Sequence, residues 1–195
     1  MLKTLRDIRS LRVLVLHPKD LECDELVAQI RRIGCKVEAA WPPQDEISAD
    51  TTVAFVLFRQ DALTTALMRA LADRPGLTLI AIVEFESPAV IEAVARAGTK
   101  AVVTKPIRPF GLLTSMIIAH TLTERIKLSS ERIEKLETRL EGLKKIEQAK
   151  SILMSRRGIT EQEAYDAIRA RAMSKRTTIE SVCSAIIEAS DLFSV

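Results

Sequence analysis

Long apolar runs are missing from this sequence. The longest, Val53–Phe58 and Leu77–Val83, fall far short of the roughly 20 residues a membrane-spanning helix needs. The opening Met1-Leu-Lys-Thr-Leu-Arg-Asp7 breaks its apolar positions with charge and offers no small-residue cleavage site, so no secretory signal is expected. Cysteine is scarce too. Cys23, Cys35 and Cys183 are an odd number without a CxxC pair, which excludes a disulfide framework and a zinc knuckle and points to reduced, buried thiols in a cytoplasmic protein. Aromatic residues make up only 4% of the chain, too few for a platform that reads nucleic acid by stacking, so any such contact must come from Lys and Arg on helices.

Catalytic groupings are equally thin. The two histidines, His17 and His120, form no Ser-His-Asp or Cys-His pattern, and HExxH, GxGxxG and GxxxxGK[ST] are all absent. His120 reads as an exposed helix residue, and Glu84 and Glu86 as surface carboxylates with no metal partner nearby. The chain is therefore expected not to be an enzyme and to carry no cofactor or metal. What remains is ordinary globular material, 47% hydrophobic with a net charge of +3 over 195 residues, which excludes a disordered tail.

The first part of the chain alternates short β-branched runs with amphipathic stretches. Arg12–His17, Lys36–Ala40, Thr52–Phe58, Thr78–Phe85 and Ala101–Thr104 read as strands. Asp20–Ile33, stopped by Gly34, together with Ala62–Ala72 and Pro88–Ala97, stopped by Gly98, read as helices. Arg59-Gln-Asp61 fits either a loop or a helix start. Strands alternating with helices over short connections predict an α/β domain, a five-stranded doubly wound parallel sheet of the flavodoxin or receiver type, in residues 1–118.

The pattern changes after Pro109. No proline follows, which permits one very long helix or two in line from Phe110 to about Arg156. With Ala119 at heptad position a, the a and d positions are Ala119, Leu122, Ile126, Ser129, Ile133, Leu136, Leu140 and Leu143, all apolar except Ser129. Such a stripe predicts a coiled-coil homodimer over residues 119–147, the alternative being a helix that packs back on the α/β domain. Its flanks match imperfectly: Arg132 suits the partner's Glu137, whereas Arg139 meets Lys144. Residues 148–195 then read as a small three-helix all-α domain. Gly158 ends its first helix, Thr160-Glu-Gln-Glu163 is a capping box opening the second with Ala164, Tyr165 and Ile168 inward, and Thr178 caps a third. Between residues 144 and 176 nine basic residues face four acidic ones, a net of +5 on an otherwise balanced chain. A solvated helix surface explains such a run; so does a phosphate-backbone reader.

Two stretches carry a resemblance. The five-fold βα alternation and the Lys105-Pro106 step after strand five resemble the receiver domain of two-component response regulators. That family holds Mg²⁺ on an acidic pair after strand one and accepts a phosphoryl group on an aspartate ending strand three. Here His17-Pro18 stands in place of the pair and the third strand ends Val56-Leu57-Phe58, with no acid before Asp61. The resemblance thus implies a pseudo-receiver without the phosphorylation switch, unless Asp20 and Asp61 rescue a site from displaced positions. Ala149-Lys150-Ser-Ile-Leu153-Met154-Ser-Arg156-Arg157-Gly158 followed by Glu161-Gln-Glu163-Ala164-Tyr165 resembles the ANTAR domain of transcription antitermination regulators, with Ser151 where that family usually has glycine.

Over the whole chain, including Trp41-Pro-Pro43 and Val83–Val90, the sequence is similar to the AmiR-like ANTAR regulators. The resemblance implies an RNA-binding antiterminator that grips hairpins in a leader transcript. It would be controlled by an AmiC-like ligand-sensing protein of the periplasmic-binding fold. The residues it nominates for RNA contact are Lys150, Arg156, Arg157, Tyr165, Arg171 and Arg176. A phosphorylation-responsive regulator and a protein adaptor without RNA binding are the competing readings.

Overall fold

The β-branched runs form five parallel strands in the computed structural model, which describes residues 8–43 and 47–192. Residues 1–7, where no secretory signal is expected, lie outside them. The chain forms two compact units, residues 1–129 and 130–195.

In the first unit the strands are β1 (Arg12–Leu16), β2 (Lys36–Ala40), β3 (Val53–Leu57), β4 (Thr78–Val83) and β5 (Ala101–Thr104), in the order β2-β1-β3-β4-β5. This is the flavodoxin-like winding, with its crevice at the carboxyl ends of the strands. Strand side chains alternate between faces. Val13, Val15, Phe55, Ile80 and Ile82 enter one core layer, and Leu14, Leu16, Val56, Leu79 and Ala81 the other. Helix α1 (Leu21–Ile33) and the start of α4 (Pro109–Arg157) cover the first layer, through Leu26, Ile30, Met116 and Ala119. Helices α2 (Ala62–Ala72) and α3 (Pro88–Arg96) cover the second, through Met68, Leu71, Val90 and Val94.

Local chemistry sets the helix starts. The side chains of Asp20, Asp61 and Ser87 accept from the amides of Cys23 at 2.8 Å, Thr64 at 2.6 Å and Val90 at 3.2 Å, and Pro88 occupies the first turn of α3. Arg59–Asp61 is thus a loop ending in a cap. Gly98 is required sterically: a Cβ there would lie 2.7 Å from that of Ala72. Strand ends are shorter than expected, since β3 stops at Leu57 and β4 at Val83, where pairing with Thr104 of β5 ends. The β2–β3 crossover, Trp41–Thr52, contains no helix among its described residues. Arg74 holds this connection by donating to the carbonyls of Ile47 and Ser48, and a cavity of about 1120 Å³ remains between it and α2.

Helix α4 is one continuous element whose regular part begins after a break at Phe110 and Gly111. Two expectations about it change. Ala119 is fully buried in the α/β core, so it is not a seam residue. His120 is only 7% exposed, with its Nδ1 3.1 Å from the Thr78 hydroxyl of β4. From Leu122 onward the stripe is open: Leu122, Ile126, Ile133, Leu136, Leu140 and Leu143 are between 44% and 56% exposed.

The second unit packs the end of α4 with α5 (Glu161–Lys175) and α6 (Ile179–Leu192). Its core is Ala149, Ile168, Ala172, Val182 and Cys183, flanked by Ile146, Leu153, Ile179 and Ile186. Cys23, Cys35 and Cys183 are all buried free thiols, pushed up in pKa by desolvation. No helix among the described residues is long and apolar enough to cross a membrane.

Candidate nucleic-acid interface

Gly158, with φ +64°, terminates α4, its amide donating to the Met154 carbonyl at 2.9 Å. Thr160 then opens α5 with a complete capping box. The Glu163 carboxylate accepts from the Thr160 amide at 2.8 Å, and the Glu163 amide donates to the Thr160 hydroxyl. The bonds that its carboxylate accepts from the Thr160 amide and hydroxyl hold Glu163 below the usual carboxylate range. The sequence thereby fixes a tight turn after Arg157, and the alanines at 149, 164 and 172, all buried, let the helices close on one another.

The nominated residues divide into four groups. Arg157, Arg171 and Arg176 are exposed at the end of α4, on α5 and at its C-cap. Arg156 is exposed as well, but its guanidinium reaches the Ser190 carbonyl and hydroxyl of α6 at 3.4 and 3.3 Å. Tyr165 is half-buried.

Lys150 differs from the phosphate contact expected of it. Its side chain is only 9% exposed, and its ammonium lies 2.5 Å from Glu147 and 2.6 Å from Glu161. Those two hydrogen bonds push Lys150 up in pKa, and Lys150 holds Glu161 down. Lys150 therefore ties α4 to the first turn of α5, with its ammonium held between two carboxylates. The sequence carried a signal for this: Lys150 lies on the same helical face as Ile146 and Leu153, both of which flank the core. Exposed Lys144, Lys145, Arg169 and Lys175 add to the charge without having been nominated.

The receiver-like unit offers a different site. His17 is buried at the end of β1, and its Nδ1 lies 2.8 Å from the Pro18 carbonyl and 3.4 Å from Asp20. His17, Asp20 and Glu22 bring one donor atom each within 4.8 Å of one another. Asp20, however, caps α1, and Glu22 is ion-paired with Lys105 at 2.7 Å. Asp61 caps α2, and its bonds to Thr64 lower its pKa. Both displaced acids thus serve as helix caps, and the site lacks the set of free hard oxygens an octahedral Mg²⁺ needs.

Comparison with known proteins agrees with both units. Residues 11–120 match the family described as AmiR, N-terminal, and residues 134–187 match the ANTAR domain. The aliphatic amidase regulator of Pseudomonas aeruginosa is 33% identical over 184 residues, 94% of each chain. Transcriptional regulatory protein PdtaR of Mycobacterium tuberculosis is 27% identical over 130 residues, 67% of this chain and 62% of its own. Among solved structures, a response regulator from Thermotoga maritima aligns with a TM-score of 0.52 at 17% identity, over 57% of this chain and 98% of its own. A CheY-like receiver protein from Methanospirillum hungatei gives 0.50 at 21%, over 60% and 98%. These last two likenesses show the fold.

A receiver-type α/β unit continued by an ANTAR module defines a class of antitermination regulators. Within that class, this chain belongs to the AmiR family. Its relatives are regulators, not enzymes.

Proposed function

We propose that this protein is a dimeric RNA-binding antiterminator in which residues 1–118 are a pseudo-receiver, 119–147 a coiled coil whose open seam starts at Leu122, and 148–195 the RNA-binding module. Paired modules grip hairpins in a nascent leader transcript, prevent a terminator from forming and let polymerase read on. The observation that carries this reading is the exposed basic surface of the ANTAR module, with Arg157, Arg171 and Arg176 free of the ion pairing that occupies Lys150. Such side chains on helices suit the phosphates and loops of folded RNA. The open apolar stripe of α4 supports pairing of two copies.

Control by a ligand-sensing protein, in place of phosphorylation, accords with the loss of the acidic cup. At the same end of the sheet Leu21, Leu63, Phe85 and Phe110 are exposed beside Glu84 and Glu86. Exposed apolar residues at one end of a sheet suit protein contacts. If this end docks the sensor, Phe85→Ala together with Glu86→Arg abolishes sensor binding while RNA affinity stays unchanged.

The deciding experiment is fluorescence anisotropy of the full chain with an RNA of two tandem hairpins and a duplex DNA of equal length, over a salt series. Hairpin-selective binding that weakens in Arg157→Ala/Arg171→Ala, with a shallower salt slope, supports the antiterminator. Equal weak binding to both nucleic acids, or none, leaves the adaptor reading.

A further inference from the structure

The acids Asp20, Glu22, Asp61 and Glu84 stand at the carboxyl ends of the strands, and the amino ends carry cations. Arg12 opens β1 and Lys36 opens β2, and the parallel register sets these two residues directly beside one another. Like charges so paired repel. Arg31 and Arg32 lie in the last turn of α1 just before this point, and the Arg9 side chain lies over the left-handed turn at Gly34, where an added Cβ would come within 3.0 Å of the Arg9 Cγ. Helix α4 covers the same face of the sheet as α1, and it brings Lys127 beside Gly76, just before β4.

Arg9, Arg12, Arg31, Arg32, Lys36 and Lys127 are all exposed, and among the described residues only Arg12 has an acidic partner, Asp50 at 3.1 Å. The other described acids near this end are Glu38 on β2, Asp73 at the C-cap of α2 and Glu124 on α4. The helix macrodipole accounts for Arg31 and Arg32. It does not account for Arg9, Arg12, Lys36 or Lys127, which do not lie in a last helical turn. Residues 8–12 and 31–36 hold no aromatic side chain and none of the exposed large apolar ones. Long cations without an apolar anchor or a stacking platform suit a phosphate backbone better than a protein hot spot or a row of bases.

We propose that this cationic cluster of the receiver-type unit binds the phosphate backbone of single-stranded RNA next to the hairpins, adding affinity without reading sequence. The inference rests on the RNA-binding reading above and adds a second contact surface to it. The cluster belongs to residues 1–129, whereas Arg157 and Arg171 belong to residues 130–195. The two surfaces therefore take separate stretches of one transcript. Phosphate contacts of this kind fix position and select no base.

The test uses the full chain with two RNAs: the tandem hairpins trimmed to their stems, and the same hairpins with a single-stranded flank of about 15 nucleotides. The flank raises wild-type affinity and steepens the salt slope by about 2, roughly 0.7 for each of three neutralised phosphates. Arg31→Gln/Arg32→Gln/Lys36→Gln loses this increment while binding the trimmed RNA as the wild type does, which also shows that the variant is folded. Arg31→Lys/Arg32→Lys keeps the charge and retains the increment. Arg157→Ala/Arg171→Ala weakens binding to both RNAs and retains it too. A flank that adds nothing to wild-type binding overturns the proposal and leaves the antiterminator reading intact. So does an increment that persists in the triple variant, or a loss that is equal on both RNAs. If the wild-type chain binds neither RNA, the functional reading falls and this inference with it.

Discussion

Lys150 and His120 show how burial reassigns a side chain. A lysine in a basic run reads as a phosphate ligand, yet Lys150 is enclosed with Glu147 and Glu161. Removing the cation leaves two carboxylates facing one another without compensation, so Lys150→Ala lowers the melting temperature. It leaves the salt slope of RNA binding unchanged, whereas Arg157→Ala reduces it; parallel thermal melts and salt titrations check both outcomes. His120 is held below the usual imidazole pKa chiefly by desolvation, with Glu124 acting in the opposite sense. The unfolded chain then takes up this proton before the folded one does. Stability is therefore full above pH ~6.5 and falls as the pH drops below it, by at most about 1.4 kcal/mol per pH unit from this group. Chemical denaturation between pH 7.5 and 5 shows the slope, which flattens in His120→Gln if this residue is its source. The sequence could not place His120, because its partner Thr78 is 42 positions away.

Helix α4 illustrates what an element inherits from its surroundings. Its periodicity was legible, but where the heptad seam begins was not, because Ala119 satisfies a seam position and a core position equally well. The sheet decides between them by burying Ala119 against its first layer and leaving Leu122 open. In the proposed dimer a second copy covers this stripe, whose seven-residue spacing leaves roughly half its surface in water in one chain. Leu136→Asp, in the middle of the exposed run, converts the dimer to a monomer in sedimentation velocity while leaving the far-UV spectrum of the α/β unit largely intact. Phe55→Ala acts differently. That ring is fully buried in β3, and its loss destabilises the fold by about 3–5 kcal/mol without changing the seam.

At the level of the whole molecule, a receiver-type sheet has kept its winding while the side chains at its carboxyl end have taken other work. Asp20 and Asp61 cap helices, Lys105 pairs with Glu22, and His17 is buried where an acid would stand. Acetyl phosphate with Mg²⁺ therefore leaves the mass, the oligomeric state and the RNA affinity of the protein unchanged. A phosphoryl adduct in intact-mass spectra would instead restore the phosphorylation reading. Under the proposed control by a sensor protein, the end of the sheet where Phe85 and Leu63 stand exposed is the docking surface to test.

Five strands, six principal helices, the stops at Gly34, Gly98 and Gly158, the Thr160 capping box and the basic character of the C-terminal module could all be read along the chain, because each rests on neighbours within a few residues. Periodicity, capping boxes and left-handed glycines are local, and local interactions are written in order. Tertiary structure alone decided that Lys150 is a tie, that His120 is internal, that Ala119 belongs to the core and that Leu122 remains open. In each case the outcome depends on which surface an element meets, and the partners that exclude water from one side chain and leave another exposed come from distant parts of the sequence.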